Sequence, residues 1–530
     1  MEHTIAKVIT QKEALAYHDD PLSLYQDVTQ DAPHTMLLES AEIDSKDHLK
    51  SIVLTHAAMM IRCSGYQLEF SALTDNGKTL LAPIKSFFEQ TFLATEINHI
   101  NGSSLSLTLQ KESNQLDEDA RLKSTSPLDG LRALVKHIRC DESPEFEDLF
   151  LGGVLSYDLI DTVEPLPSVP EGDNTCPDYL FYLAETLILV DHQLQSAEIV
   201  THQFVLPGYN SLNKHSDKSA AQLATRMSKL QQKCHSLAPI AELLGVDAET
   251  QVNISDNDFK DTVNSLKEHI VAGDIFQVVP SRSFSLPCPN TLGAYRALRL
   301  TNPSPYMFYF RGDDFTLFGA SPESALKYEA KSNQVEIYPI AGTRKRGKTA
   351  SGDIDFDLDS RNELELRLDK KELSEHIMLV DLARNDIARI SQSGTRKVPE
   401  LLKVDRYSHV MHLVSRVTGQ LRSDLDALHA YQACMNMGTL TGAPKVSAAQ
   451  LIRGAEKTRR GSYGGAVGYL NGLGDMDTCI VIRSAFVKND IAYIQAGAGV
   501  VFDSDPQAEA DETRQKAQAV ISAIKMGGGL

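Results

Sequence analysis

The sequence has no apolar run approaching membrane-spanning length, and its N-terminus, MEHTIAKVITQKEALAYHDD, has no basic stretch followed by an apolar one. Neither a spanning helix nor a secretory leader is therefore expected, and a cytoplasmic protein is the expectation. Positive charge is in deficit: 52 Lys and Arg stand against 71 Asp and Glu, a formal net charge of -19. That balance argues against general binding to nucleic acid or to an anionic membrane, which needs a cationic face. An anionic substrate in such a field requires placed cations, a metal or aimed backbone N–H groups. The seven cysteines (Cys63, Cys140, Cys176, Cys234, Cys288, Cys434 and Cys479) are scattered and form no C-x-x-C pair. Their spacing argues against a disulfide framework and a zinc site, and they read as reduced, buried thiols. No fixed-period repeat is present, which removes solenoids and propellers.

What is present fits an ordinary globular protein. At 530 residues the chain is too long for one compact core, and 42% hydrophobic with 23% charged residues is ordinary globular composition. Residues 50 to 110 carry strand-like runs, HLKSIVLTHAAMMIRCSG and YQLEFSALT, with TDNG as a turn signal, and LGGVLSYDL and YLFYLAETLILVDH follow. A polar stretch, PGYNSLNKHSDKSAAQ, reads as a linker carrying one helix. The expected division is residues 1–206, a linker at 207–255, and a second domain at 256–525. The second opens with Phe259, Val263, Leu266 and Ile270 at helical spacing and Gly273 as a left-handed cap. The strand IFQVVPSRSFSL comes next, and YGGAVGYL, TCIVIRSAFV and IAYIQAGAGV are joined by turns too short for parallel crossovers. With helices near 371–389, 444–457 and 506–524, the expected class is α+β, large antiparallel sheets packed as a sandwich and covered by helices.

Local chemistry concentrates late in the chain. In GAGVVFDSDPQAEADETR, Gly497, Ala498 and Gly499 lack bulk and suit backbone N–H groups aimed at a carboxylate. Asp505 and Pro506 then cap and open a helix on which Glu509, Glu512 and Lys516 share a face. On KKELSEHIMLVDLARNDIARI, Leu373, Ile377, Val380 and Ile387 supply the expected buried stripe, with Glu372 and Glu375 on an adjacent face. Carboxylates from two helices suit Mg2+, but on spacing alone the commoner meaning of such faces is solvated salt pairs. Likewise His412 on YSHVMHLV reads alone as a hydrogen-bonded core residue, and NPSPYMF as a turn into a strand. A zinc site at His409 and His412 lacks a third ligand, and neither GAGVVF nor GSYGGAVG has the full dinucleotide-binding glycine spacing.

The strings YPIAGTRKRG, ELSEHIMLVDLARND, KVDRYSHVMHLVSRVTG, CMNMGTLTGAPK, RRGSYGGAVGY and QAGAGVVFDSDPQAEADETR resemble, in order along most of residues 256–525, the chorismate-utilising enzymes. With LLES at 37–40 and NPSPYMF at 302–308, the chain is similar to the component I family of anthranilate synthase in enteric-type bacteria. The resemblance implies Mg2+ held by Glu375 and Glu512 against the ring carboxylate of chorismate, with Lys516 supporting that site. It implies Tyr463, Arg483, Gly497, Ala498 and Gly499 on the enolpyruvyl carboxylate, and Gly342 and Thr343 lining the substrate. Glu323, in GASPE, corresponds to the acid that protonates the departing ring hydroxyl, a role that needs a raised pKa. His412 and Thr439 match active-site positions, His412 for proton handling. The implied reaction is attack of ammonia on ring carbon 2 as the 4-hydroxyl leaves, then loss of pyruvate to give anthranilate, the first step of tryptophan synthesis.

Two positions separate the chain from related activities. Ala341 stands where aminodeoxychorismate synthases carry a nucleophilic lysine, and Gln277 where isochorismate synthases carry a lysine base. No G-x-C-x-G nucleophile loop is present, so the resemblance implies a separate glutamine amidotransferase subunit supplying ammonia, in a heterotetramer of two of each. Ser40, Pro305, Tyr306 and Met307 match the family's L-tryptophan-binding positions and imply feedback inhibition. The absence of tryptophan from the sequence fits an enzyme needed when that amino acid is scarce. The alternatives are an isochorismate or aminodeoxychorismate synthase, or a non-catalytic regulatory subunit of the same fold. Intact Glu375, Glu512, Arg483 and the Gly497 loop argue against the last.

Overall fold

The computed structural model describes residues 4–40, 50–92, 95–111, 116–140, 144–207, 214–234, 242–349, 351–407 and 410–530, with backbone alone for 214–217. His409 and parts of the expected linker lie outside them. Among the described residues twenty-three strands join into one hydrogen-bonded sheet, antiparallel except where Ala6–Leu15 meets Ile138–Arg139. Strands from the two halves of the sequence are joined within it. Thr35–Glu39 pairs with Tyr306–Arg311, and Phe150–Leu155 with Ala466–Asn471. The expected boundary at 206–256 thus divides the sequence but not the sheet.

Period-two alternation creates the layers. On Tyr306–Arg311, Phe308 and Phe310 enter an inner cluster with Met36, Leu54, Phe150 and Val467, while Met307 and Tyr309 enter an outer one. Phe310 stacks on Tyr182 with ring centroids 4.8 Å apart. The outer cluster is covered by helices, including Thr291–Thr301 and Pro506–Gly527, which bury Leu298 and Ile524 against it. Among the described residues no helix is long and apolar enough to cross a membrane.

Helices expected near 371–389, 444–457 and 506–524 span Lys370–Ile390, Lys445–Glu456 and Pro506–Gly527. Asp369 caps the first, accepting from the Lys371 and Glu372 N–H groups, and Asp505 caps the last through the Ala508 N–H. The buried stripe of Lys370–Ile390 is His376, Leu379, Val380, Ala383, Ile387 and Ile390. Ile377, expected inside, is 44% exposed, because the packed face turns one position away from it. TDNG is not a turn either: the Thr74 hydroxyl accepts from the Gly77 N–H and starts the helix Asp75–Thr91.

Two expected continuous strands are broken where the site needs them broken. IFQVVPSRSFSL interrupts at Pro280, leaving Gln277–Val278 to pair with Gly442–Ala443 and Ser281–Pro287 with Ile491–Gly497. TCIVIRSAFV divides into Met476–Ile480 and Ser484–Lys488, with Arg483 between them at φ 49°. Gly77 offers a direct check on helix–sheet packing, since a Cβ there would overlap the Ala58 carbonyl oxygen. Gly77→Ala is expected to lose about 3 kcal/mol in urea unfolding; an unchanged midpoint would show that the helix docks otherwise.

Candidate active site

Three segments converge at the end of strand Ile491–Gly497. Lys516 donates to the Gly497 carbonyl at 3.0 Å and pairs with Glu512 at 2.6 Å, one helical turn earlier. Gln277 Nε2 donates to Glu375 Oε1 at 2.8 Å. A Cβ on Gly499 would lie 3.1 Å from Glu375 Oε1 and 2.9 Å from Gln277 Nε2, so the loop approaches both side chains as closely as glycine permits. Burial, and then the neighbouring Glu372 and Glu512 carboxylates, push the Glu375 carboxyl up to about 7, with Lys516 opposing.

The Gly497–Gly499 backbone is less open than its composition suggests. The Ala498 N–H donates to the Pro280 carbonyl at 3.1 Å, and the Gly497 N–H serves the Tyr463 hydroxyl. Among the described residues the Gly499 N–H has no protein acceptor. Beside this loop stands Arg483, whose left-handed backbone breaks the strand while its carbonyl accepts from the Ala320 N–H at 3.1 Å. Its residue surface is only half-buried, yet its head group is desolvated enough that burial lowers its pKa against the pull of Tyr463 and Glu512. Among the described residues Arg483 makes no ion pair. A desolvated guanidinium without a carboxylate keeps its planar fork for a bound anion.

The opposite wall carries the proton-handling candidates. Glu323 lies in the turn between strands Thr316–Ser321 and Ser324–Glu329 and is 6% exposed. Burial pushes its carboxyl up to about 8, opposed by the Thr439 hydroxyl, the Ile340 N–H and Lys516. The Thr439 hydroxyl is buried and makes no close hydrogen bond; its interaction with the Glu323 carboxyl is a loose one. His412, on Val410–Gln420, places Nδ1 2.9 Å from the Thr343 hydroxyl. Burial, and then Arg483, push His412 down to about 4, so its ring is neutral at neutral pH. Gly342 sits at φ 83° where the strand register shifts, and a Cβ there would lie 3.3 Å from Glu372 Oε2.

Contacts and electrostatic couplings thus link Glu323, Gly342, Thr343, Glu375, His412, Thr439, Tyr463, Arg483, Gly497, Ala498, Gly499, Glu512 and Lys516 into one neighbourhood. Gln277 joins them through a contact that sequence reasoning missed, having used the residue only as the absence of a lysine base. Its side-chain oxygen is buried without a partner. Among the described residues no three His, Cys, Asp or Glu form a group that would hold a metal alone. Two carboxylates are what the site offers, and that is the protein share Mg2+ accepts when substrate oxygens and waters complete its shell. The raised Glu375 pKa reflects in part a repulsion that a divalent cation would relieve.

The tryptophan-site candidates form a separate group. Ser40 follows strand Thr35–Glu39, whose Glu39 faces Met307 across the ladder, and Tyr306 donates to Asp477 at 3.2 Å. Tyr306 and Met307 point to opposite faces, and the Met307 side chain is 1% exposed in the outer core. A ligand beside Tyr306 would therefore meet the main chain of Met307 and not its side chain.

Known proteins give a consistent picture. The family model for chorismate binding enzyme matches residues 90–522. Anthranilate synthase component 1 of Vibrio cholerae is 58% identical over 96% of this chain and 95% of its own length. Its Escherichia coli K12 counterpart is 54% identical over 96% and 95%. Among solved structures, anthranilate synthase component I from Streptococcus pneumoniae superposes with a TM-score of 0.67 at 29% identity, over 90% of this chain and 93% of that one. The menaquinone-specific isochorismate synthase of E. coli, at 18% identity and a TM-score of 0.66 over 98% and 94%, shares the fold. With an unpaired arginine, an acidic pair and a glycine loop gathered at one site of that fold, the chain belongs to the chorismate-binding enzymes, in the anthranilate synthase component 1 family.

Proposed function

We propose that the chain converts chorismate and ammonia to anthranilate and pyruvate through an aminodeoxyisochorismate intermediate, as the chorismate-using subunit of a cytoplasmic anthranilate synthase. The observation that carries this reading is Arg483, a desolvated cation with no ion pair among the described residues, coupled electrostatically to Tyr463, whose hydroxyl meets the Gly497 backbone. That arrangement supports a carboxylate at Arg483, the enolpyruvyl one, and leaves the ring carboxylate for the Glu375 and Glu512 end. Mg2+ bound by those two acids would neutralise them and hold the ring carboxylate. Lys516, paired with Glu512 and with the Gly497 carbonyl, steadies both ends. Gly342 and Thr343 line the pocket between.

The pKa pattern supports a division of labour. Glu323, pushed up to about 8, holds its proton at neutral pH and is the group suited to protonate the departing 4-hydroxyl, with Thr439 beside it. His412, pushed down to about 4, is neutral; it serves as a hydrogen-bonding wall anchored on Thr343. Ala341 and Gln277 put neither a nucleophilic side chain nor a lysine base at the ring, which favours ammonia over water or lysine attack. The name component 1 given to the relatives supports a second component, and we propose a glutamine amidotransferase subunit in an assembly of two of each. Ser40, Pro305, Tyr306 and the Met307 main chain are proposed to bind L-tryptophan and mediate feedback inhibition.

The defining experiment follows anthranilate fluorescence from the purified chain with chorismate, Mg2+ and ammonium. Product that disappears on chelation with EDTA supports the reading; no product under any ammonium concentration contradicts it. Glu512→Gln is expected to raise the barrier by ~3 to 4 kcal/mol and the Mg2+ requirement with it. At fixed free ammonia, kcat should fall as pH rises through about 8, where Glu323 loses its proton, and Glu323→Gln should remove that limb along with most activity. A pH profile unchanged in Glu323→Gln would assign the acid elsewhere. Ser40→Phe is expected to keep catalysis and relax tryptophan inhibition, and a variant inhibited like its parent would remove the regulatory assignment.

A further inference from the structure

Arg460 is a large side chain at 2% exposure, outside the set assigned above. Its Nε and Nη2 donate to the two Glu456 carboxylate oxygens at 2.9 and 2.6 Å, a bidentate pair. Nη1 also donates to the Leu440 carbonyl at 2.8 Å and Nη2 to the Val279 carbonyl at 2.7 Å. The guanidinium lies 4.6 Å from the Tyr157 ring centroid and 5.5 Å from that of Tyr463. Glu456, the last residue of helix Lys445–Glu456, accepts in addition from the N–H and hydroxyl of Ser281, both at 2.7 Å.

Apart from the contact with the Tyr157 ring, these contacts fall on, or within two residues of, groups that the proposed function places at the substrate. Leu440 follows Thr439. Val279 follows the segment of Gln277, and Pro280, next along, receives the Ala498 N–H. Ser281 faces Gly497 across the ladder. Tyr463 is touched directly. Burying an ion pair costs desolvation that an apolar filler of equal volume avoids. What a filler lacks is directional bonds to separate stretches of chain, and a planar fork delivers them with fixed geometry.

We propose that Glu456 and Arg460 form a positioning pair, fixing the Gln277–Ser281 segment, the Thr439–Leu440 turn and the Tyr463 ring relative to one another without touching substrate. This inference rests on the function proposed above. Small displacements of catalytic groups cost far more in turnover than in fold stability. The pair therefore acts on kcat through Thr439 and Tyr463 rather than on the integrity of the molecule.

The test compares the full-length chain with Glu456→Leu/Arg460→Met, which replaces the pair by apolar groups, and with Arg460→Lys, which keeps the charge and loses the fork. Melting temperature, kcat, and KM for chorismate are measured with Mg2+ and ammonium. The expected result for the folded double variant is a loss of roughly 10²-fold in kcat, with KM for chorismate changed much less and the melting temperature within a few degrees of the parent. Arg460→Lys, read in the same way should the double variant not fold, is expected to lose at least tenfold in kcat. Folded variants with kcat within threefold of the parent would overturn the proposal, as would activity falling only in proportion to the folded fraction. If the parent itself makes no anthranilate, the proposed function fails first; if the parent is active and the variants match it, only the positioning role fails.

Discussion

An arginine with a desolvated head group and no ion pair among the described residues is a costly arrangement on its own, and the residues around Arg483 hold it in that state. A left-handed turn at Arg483 separates Met476–Ile480 from Ser484–Lys488 and sets this residue between the two strands. Burial then lowers its pKa and Tyr463 and Glu512 hold it up. In a chain with a formal net charge of -19, a binding site for a dianion has to work against the surrounding field. One cation without an ion pair among the described residues at one end, and two carboxylates at the other, is the charge arrangement on which the proposed function rests.

The same desolvation sets the protonation states. Glu323 and Glu375 are pushed up to about 8 and about 7 and His412 down to about 4, all with burial as the leading cause. Two acids and one base are thus shifted toward their neutral forms in a space that also holds Lys516, Arg483 and Glu512. The framework reaches the candidate regulatory strand as well. Tyr295 donates to Glu39 at 2.5 Å and Arg299 pairs with it at 3.2 Å, and the helix carrying both packs against Pro506–Gly527, which bears Glu512 and Lys516.

Much of the fold was legible because local signals agreed: Asp505-Pro506 marks a helix start, Gly273 at φ 85° ends another helix, and the short KND turn makes a hairpin with Asn489 and Asp490 both at positive φ. Illegible were the features that depend on distant partners. Nothing near Phe150–Leu155 announces that it pairs with Ala466–Asn471, and nothing in TCIVIRSAFV marks the break at Arg483, since β-branched residues on both sides suit a continuous strand. TDNG carries turn composition and helix-capping composition at once, and the strand Lys50–Ser64 beneath it decides for the helix. At the site, resemblance supplied the residue identities, whereas the contact of Gln277 with Glu375 and the engagement of the Ala498 N–H by Pro280 came only from geometry.

The central claim is that Arg483 waits for one carboxylate of a dianion while Glu375 and Glu512 share the ion that holds the other. A crystal structure of the chain with Mg2+ and chorismate or its products tests this directly. The account predicts the Arg483 fork on the side-chain carboxylate beside Tyr463 and Gly499, and one Mg2+ touching both acids. A ligand bound elsewhere, with Arg483 turned to solvent and the two glutamates on separate ions or none, would contradict it.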